Sequence, residues 1–125
     1  MIIGETDPRF YIAASAIPGA GRGLFARIAL AAGEELRVIG IVIQADTAAD
    51  ECTRYADEYK LRFGDLLLIP VGYGGMVNHS SLAPNMEKVA MGDAVYLRTL
   101  RPVAPDEELL FCYSAYAQER FRLQG

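Results

Sequence analysis

A chain of 125 residues, 52% of them hydrophobic, has the size of one domain with one sizeable core. A net charge of −4 and a pI near 4.9 argue against the basic face that direct nucleic-acid binding needs. The longest apolar runs, Leu66 to Ile69 and Ala29 to Ala32, fall far short of the roughly 20 residues of a membrane-spanning helix, so no membrane partner is expected.

The first residues, MIIGETDPRF, hold no basic start followed by an apolar stretch and a small-residue cleavage site. The expected location is therefore the cytoplasm. RFYIAAS reads as a first strand ending at Pro18 and Gly19, and EELRVIGIVI as a β-branched strand after the turn at Ala32 and Gly33. Asp46 or Thr47 then caps a helix in which Cys52, Tyr55, Ala56 and Tyr59 recur at helical spacing. Asp50 and Arg54 stand an i,i+4 ion pair apart on it.

YKLRF and LLLIP pair around Gly64 and Asp65, and EKVAM and AVYLRTL around Gly92 and Asp93. After a turn bracketed by Pro102 and Pro105, EELLFCY reads as the last strand. YAQERFRL reads as a short C-terminal helix capped by Ser114. About eight short strands fit a folded-sheet or barrel-like β domain better than an α/β sandwich. Cys52 and Cys112 read as buried small hydrophobes in a reducing compartment. With a single histidine they cannot supply the four ligands of a closed zinc site, so no metal is expected.

Three stretches carry polar chemistry. PGAGRGLFA, residues 18–26, misses the dinucleotide fingerprint, because after Gly19 and Gly21 the sixth position is Leu24. Its glycines make a turn whose bare backbone can approach a ligand closely. NHSSLAPN, residues 78–85, reads equally as a structural loop held by Asn78, Pro84 and Asn85 or as a grip in which Asn78 and His79 hold a polar ligand. Nothing local supports a cysteine-protease pairing of Cys112 with His79. In EELLFCYSAY, residues 107–116, Tyr113 and Tyr116 taken alone read as core or rim aromatics.

Taken together and in order, these stretches resemble the SET-domain lysine methyltransferases. GRGLFA is similar to the family's G-x-G motif, NHS with the following PN to its central motif, and EELLFCYSAY to its closing acidic-Leu-x-Phe-x-Tyr motif. The likeness runs from about Pro18 to Tyr116, within a single domain spanning residues 1–125.

The resemblance implies a mainly β fold, a β-clip of small sheets with few short helices and a C-terminal pseudoknot that brings NHS beside the closing tyrosine. It also implies methyl transfer from S-adenosylmethionine to a lysine side chain in a protein or peptide, an acidic domain suiting a basic tail such as that of a histone. Tyr113 matches the catalytic tyrosine, which would also border the cofactor. Asn78, the backbone of His79, and the backbone of Ala20, Gly21, Arg22 and Gly23 would hold the cofactor, and Tyr116 would line the lysine channel.

The sequence departs from the family pattern at three places. Cys112 precedes the tyrosine where Asp is common, and RVIGI has no aromatic near Gly40. The cysteine-rich segment that often follows the closing motif is not expected, so the channel would be closed by the C-terminal helix, with Phe121 stacking near the adenine, or by a second copy of the chain in a homodimer. ARIALAAGEEL also resembles the opening of non-catalytic β-clip modules that bind a peptide or sugar, the alternative reading, but those modules lack NHS and the closing tyrosine.

Overall fold

Side-chain alternation with period two is clearest in AVYLRT, where Val95, Leu97 and Thr99 are buried and the residues between them only partly so. In the computed structural model, which describes residues 7–57, 60–92 and 94–112, this segment is one of ten strands in three small sheets. β1 (Phe10–Ala14) and β2 (Arg22–Ala26) form an antiparallel hairpin registered Phe10 to Ala26 and Ala14 to Arg22. The second sheet has the order β3 (Glu35–Arg37), β9 (Ala94–Thr99), β8 (Met86–Met91), β10 (Leu110–Phe111), β7 (Asn78–His79). The third has the order β4 (Gly40–Gln44), β6 (Leu66–Pro70), β5 (Leu61–Phe63). The chain is thus mainly β with few short helices, as the resemblance implied.

Phe10, Leu24, Leu36, Leu97, Leu109 and Phe111 meet in one core fed by the first two sheets. Burying each such side chain is worth roughly 1.5–3 kcal/mol. Buried polar groups in this layer are paired: Thr99 Oγ1 donates to Ala31 O at 2.7 Å and accepts from Glu34 N at 2.9 Å. No helix among the described residues is long and apolar enough to cross a membrane.

Both expected hairpins form, with Gly64 (φ 62°) and Gly92 (φ 61°) in the left-handed conformation that glycine adopts at least cost. The single strand expected at EELRVIGIVI divides instead. Val38 N donates to Val95 O at 2.9 Å and so ends the run along β9, whereas Gly40 begins β4 in another sheet. Gly40 permits that departure because any Cβ there would overlap the Ile69 carbonyl. Among its described residues EELLFCY contributes the two residues of β10 and an isolated bridge from Glu108 to Phe25.

The expected helix is short: α1 spans Ala48–Cys52, Thr53 leaves the helical region at φ −114°, and a 3-10 turn follows over Arg54–Ala56. Thr47 stands at the N-cap without capping, its Oγ1 donating to Gln44 O at 2.6 Å. Arg54 lies beyond the helix end, so its i,i+4 pair with Asp50 is lost and it meets Glu51 at 3.5 Å. Asp50 pairs with Lys60 at 2.7 Å, and Asp57 meets the same ammonium at 2.7 Å. Burial opposes the Lys60 charge, but the two carboxylates outweigh it and raise the pKa.

Of the proposed apolar face only Ala56 is buried: Tyr55 and Cys52 are exposed, and Tyr59 lies outside the described residues. Both cysteines are exposed, which corrects the reading of Cys52 and Cys112 as buried hydrophobes. Cys52 sits on a helix too short to turn an apolar face inward, and Cys112 lies just after β10.

Candidate functional site

The last strand among the described residues runs between two others that precede it in sequence: β10 lies between β7 and β8 and parallel to both, with Leu110 opposite Asn78 and Phe111 opposite His79 and Met86. A two-residue parallel strand has too few ladder bonds to hold itself, and the loop on either side supplies more. Ser80 N donates to Phe111 O at 3.1 Å and Asn85 N to Leu110 O at 3.0 Å. The Asn85 side chain, 1% exposed, accepts from Leu110 N at 2.8 Å and donates to Glu108 O at 2.8 Å. Asn85 is therefore a satisfied structural hub, one of the two roles left open for this loop.

The same closing segment is stitched to β2 on its other side. Leu109 N donates to Leu24 O at 2.8 Å and Ala26 N to Glu107 O at 3.0 Å. The glycine-rich turn, the NHS segment and the closing segment are thereby brought together from three distant parts of the chain.

At their junction the Asn78 side-chain amide donates to Arg22 O at 3.0 Å and to Glu108 Oε2 at 3.3 Å. Glu108 also accepts from Ser15 Oγ at 2.7 Å and from Ala16 N at 3.0 Å. Gly23 is buried directly against this pair: a Cβ there would overlap Glu108 Oε2 and stand 3.0 Å from Asn78 Nδ2. Any side chain at this position would require the end of Glu108 to shift.

Ala20 N donates to Ile17 O at 3.1 Å and Gly21 O accepts from Ser15 N at 2.8 Å, which closes the turn. Gly19 (φ 78°) and Gly21 (φ 75°) hold it in left-handed conformations with open space where a side chain would lie. A backbone face that no described residue covers thus stands next to Arg22 and Asn78. Burial pushes the His79 imidazole below its ordinary pKa.

Of the candidate residues, Ala20, Gly21, Arg22, Gly23, Asn78 and His79 gather here, whereas Tyr113, Tyr116 and Phe121 lie outside the described residues, as does the proposed C-terminal helix. Two members of the junction, Ser15 and Glu108, had no assigned role in the sequence. The available signal for Glu108 was its place as the acidic residue of the closing motif. A separate cleft of about 360 Å³, lined by Arg37, Val38, Gly40, Val42, Leu68 and Val95 among others, includes none of the motif residues.

A backbone face with open space beside a carboxamide oxygen and neutral donors fits an adenosine cofactor with an amino-acid end by the chemistry of its groups. No curated protein matches the chain in sequence. In fold it is similar to the crystal structure of a candidate histone methyltransferase of Plasmodium falciparum, with a TM-score of 0.69 over 88% of this chain and 96% of that one, at 21% identity. That identity speaks for the fold alone. The model of the SET domain matches residues 21–114, three quarters of the chain. The NHS loop, the inserted closing strand and the end of the glycine-rich stretch from Gly21 fall inside that span, and the chain belongs to the SET-domain family, whose members are generally protein-lysine methyltransferases.

Proposed function

We propose that the protein transfers a methyl group from S-adenosylmethionine to the side-chain amine of a lysine in a protein substrate, with a basic tail of the histone kind as the favoured class. The observation that carries the reading is the threading of β10 between β7 and β8, which sets the chain leading into Tyr113 beside Asn78 and His79. A strand paired in parallel with two that precede it supports the pseudoknot arrangement that the resemblance implies. The backbone of Ala20 to Gly23, Asn78 and the His79 backbone would hold the cofactor, which when bound supplies an electrophilic methyl.

The chain's own task is to present a neutral amine in line with that methyl. Free lysine, with a pKa of about 10.4, is neutral in only about one molecule in 2,500 at pH 7, a cost of about 4.6 kcal/mol. A narrow apolar channel lowers this cost by desolvating the ammonium, and a carboxylate lining would raise it. The hydroxyls of Tyr113 and Tyr116 would orient the amine without adding negative charge. The excess of acidic over basic residues, 16 against 12, suits a cationic peptide at long range.

Closure of the channel would fall to the segment bearing Phe121 or to a second copy of the chain. A thermal-shift titration with S-adenosylmethionine tests the reading first, because ligand at 100 times its dissociation constant adds about 2.7 kcal/mol of stability. Transfer of radiolabelled methyl to basic tail peptides follows. Absence of any shift would overturn the cofactor assignment. Binding without turnover on any lysine substrate would favour a non-catalytic module.

A further inference from the structure

Lys60 and Lys88 are the two lysines of the chain, and the fold treats them in opposite ways. Lys60 meets Asp50 and Asp57, each at 2.7 Å, and its pKa is raised. Lys88 is half-buried, and its Nζ donates to Arg62 O at 2.6 Å. Among the described residues no carboxylate pairs with it. Burial lowers its pKa, because the ammonium loses water there without gaining an opposite charge.

The register of β8 explains the isolation. Met86 stands opposite Thr99 and Lys88 opposite Leu97 in antiparallel pairing, so both side chains lie on the sheet face that looks into the core. Glu87 points to the other face, where it meets Arg98 at 2.6 Å. From the inner face of the second sheet the Lys88 amine thus reaches β5, an edge strand of the third. A position where the alternation calls for an apolar residue carries a nucleophile instead.

Its place along β8 bears on the proposed reaction. β10 runs parallel to β8 with Phe111 opposite Met86, so Lys88 stands two residues past that pair, on the strand next to the one that leads into Tyr113. Neighbouring strands lie about 4.8 Å apart, less than the reach of the flexible four-carbon stem, so an amine released from Arg62 O can sweep the space flanking the closing strand.

We propose that Lys88 is itself a methyl acceptor, modified within its own molecule by the donor that serves the protein substrate. The inference rests on the methyl-transfer reading above. The ammonium first gives one proton to water. The lone pair of the neutral amine then bonds to the donor's methyl carbon as the carbon–sulfur bond breaks, its electrons staying on sulfur. The positive charge passes from sulfur to the methylated nitrogen, leaving a neutral thioether. Lys60 cannot compete, since its two carboxylates hold it in the charged form.

The test incubates the full chain with methyl-labelled S-adenosylmethionine and no added substrate, and locates the label by peptide mass spectrometry. Lys88 should carry at least about tenfold more than Lys60, in keeping with the larger neutral fraction of its amine. The initial rate per molecule should not change with protein concentration. Lys88→Arg keeps a cation able to donate to Arg62 O and should abolish the label, whereas Lys60→Arg should keep it. No label on Lys88 in a protein that methylates a basic tail peptide would overturn the inference and leave the methyl-transfer reading intact. A rate that rises in proportion to concentration would overturn modification within one molecule.

Absence of both cofactor binding and methyl transfer would overturn the methyl-transfer reading itself. A second measurement needs neither donor nor variant. Trace acetylation of the ligand-free wild type should label Lys88 faster than Lys60, because the neutral amine is the reactive form. The reverse order would overturn the inference even if every variant failed to fold.

Discussion

The side-chain amide of Asn78 donates to the backbone carbonyl of Arg22 at 3.0 Å across 56 positions of sequence. One hydrogen bond thus joins the glycine-rich turn to the NHS loop, and the proposed cofactor site lies where they meet. Alanine at position 78 would leave the Arg22 carbonyl without this donor and remove Oδ1 from the site.

Asn78→Ala should therefore weaken S-adenosylmethionine binding by at least about tenfold, since hydrogen bonds to charged groups are worth about 1.5–3 kcal/mol. Isothermal titration of the folded variant measures this. Affinity equal to the parent's would mean that the site has been placed wrongly.

Two glycines should respond differently to alanine. At Gly23 the added carbon meets the far end of the Glu108 side chain, which can swing away, so Gly23→Ala should cost only about 1 kcal/mol of stability yet disturb Asn78 and cofactor affinity. At Gly40 it meets the Ile69 backbone inside the β4–β6 ladder, which cannot yield, so Gly40→Ala should cost about 3 kcal/mol or more. Urea denaturation of the two variants side by side checks the order, and a reversed order would contradict the packing described for β4.

Acid stability should depend on Glu107. Its hydrogen bond with Arg101, against the opposing effect of burial and aided by the Ala104 amide and Asn85, lowers its carboxyl from 4.5 to about 2. A folded-state pKa below the unfolded one contributes stability that is full above pH 4.5 and is lost as the pH falls toward 2. Glu107→Gln should flatten the denaturation midpoint over that window while leaving other acidic groups to titrate. Unchanged acid sensitivity would show that the exposed pair is screened by solvent.

Tyr113→Phe keeps the ring and removes the hydroxyl proposed to align the amine with the methyl. Misplacement of reacting groups by about 1 Å can cost on the order of a hundredfold in rate. The variant should bind S-adenosylmethionine normally, keep its melting temperature and lose nearly all methyl transfer to a lysine peptide that the wild type accepts. Full activity would move the role to another group, Tyr116 first.

Phe121 is the only aromatic after Tyr116, and stacking on an adenine is worth about 1–3 kcal/mol by alanine substitution. Phe121→Ala should weaken cofactor binding several-fold. Unchanged affinity, measured alongside the sedimentation behaviour of the wild type, would shift closure of the site to a partner copy or to no aromatic group.

The sequence by itself determined the elements that are local. AVYLRT and EKVAM carry period-two alternation and a glycine turn between them, so β8 and β9 could be read without knowing their surroundings. The motif residues Gly21, Gly23 and Asn78 could be read by likeness, because each belongs to a short fixed pattern. Only tertiary structure decided what these residues do to one another. The pairing of Asp50 with Lys60 instead of Arg54 depends on where a five-residue helix ends and on how the chain returns. The division of EELRVIGIVI depends on a contact between Gly40 and Ile69 that no periodicity encodes. The insertion of β10 is held by Asn85 from one distant segment and Leu24 from another, and it has too few residues to show a pattern of its own. Gly23, Asn78 and Glu108 meet for the same reason: non-local contacts are set by how strands cross, and strand crossing is a property of the whole core.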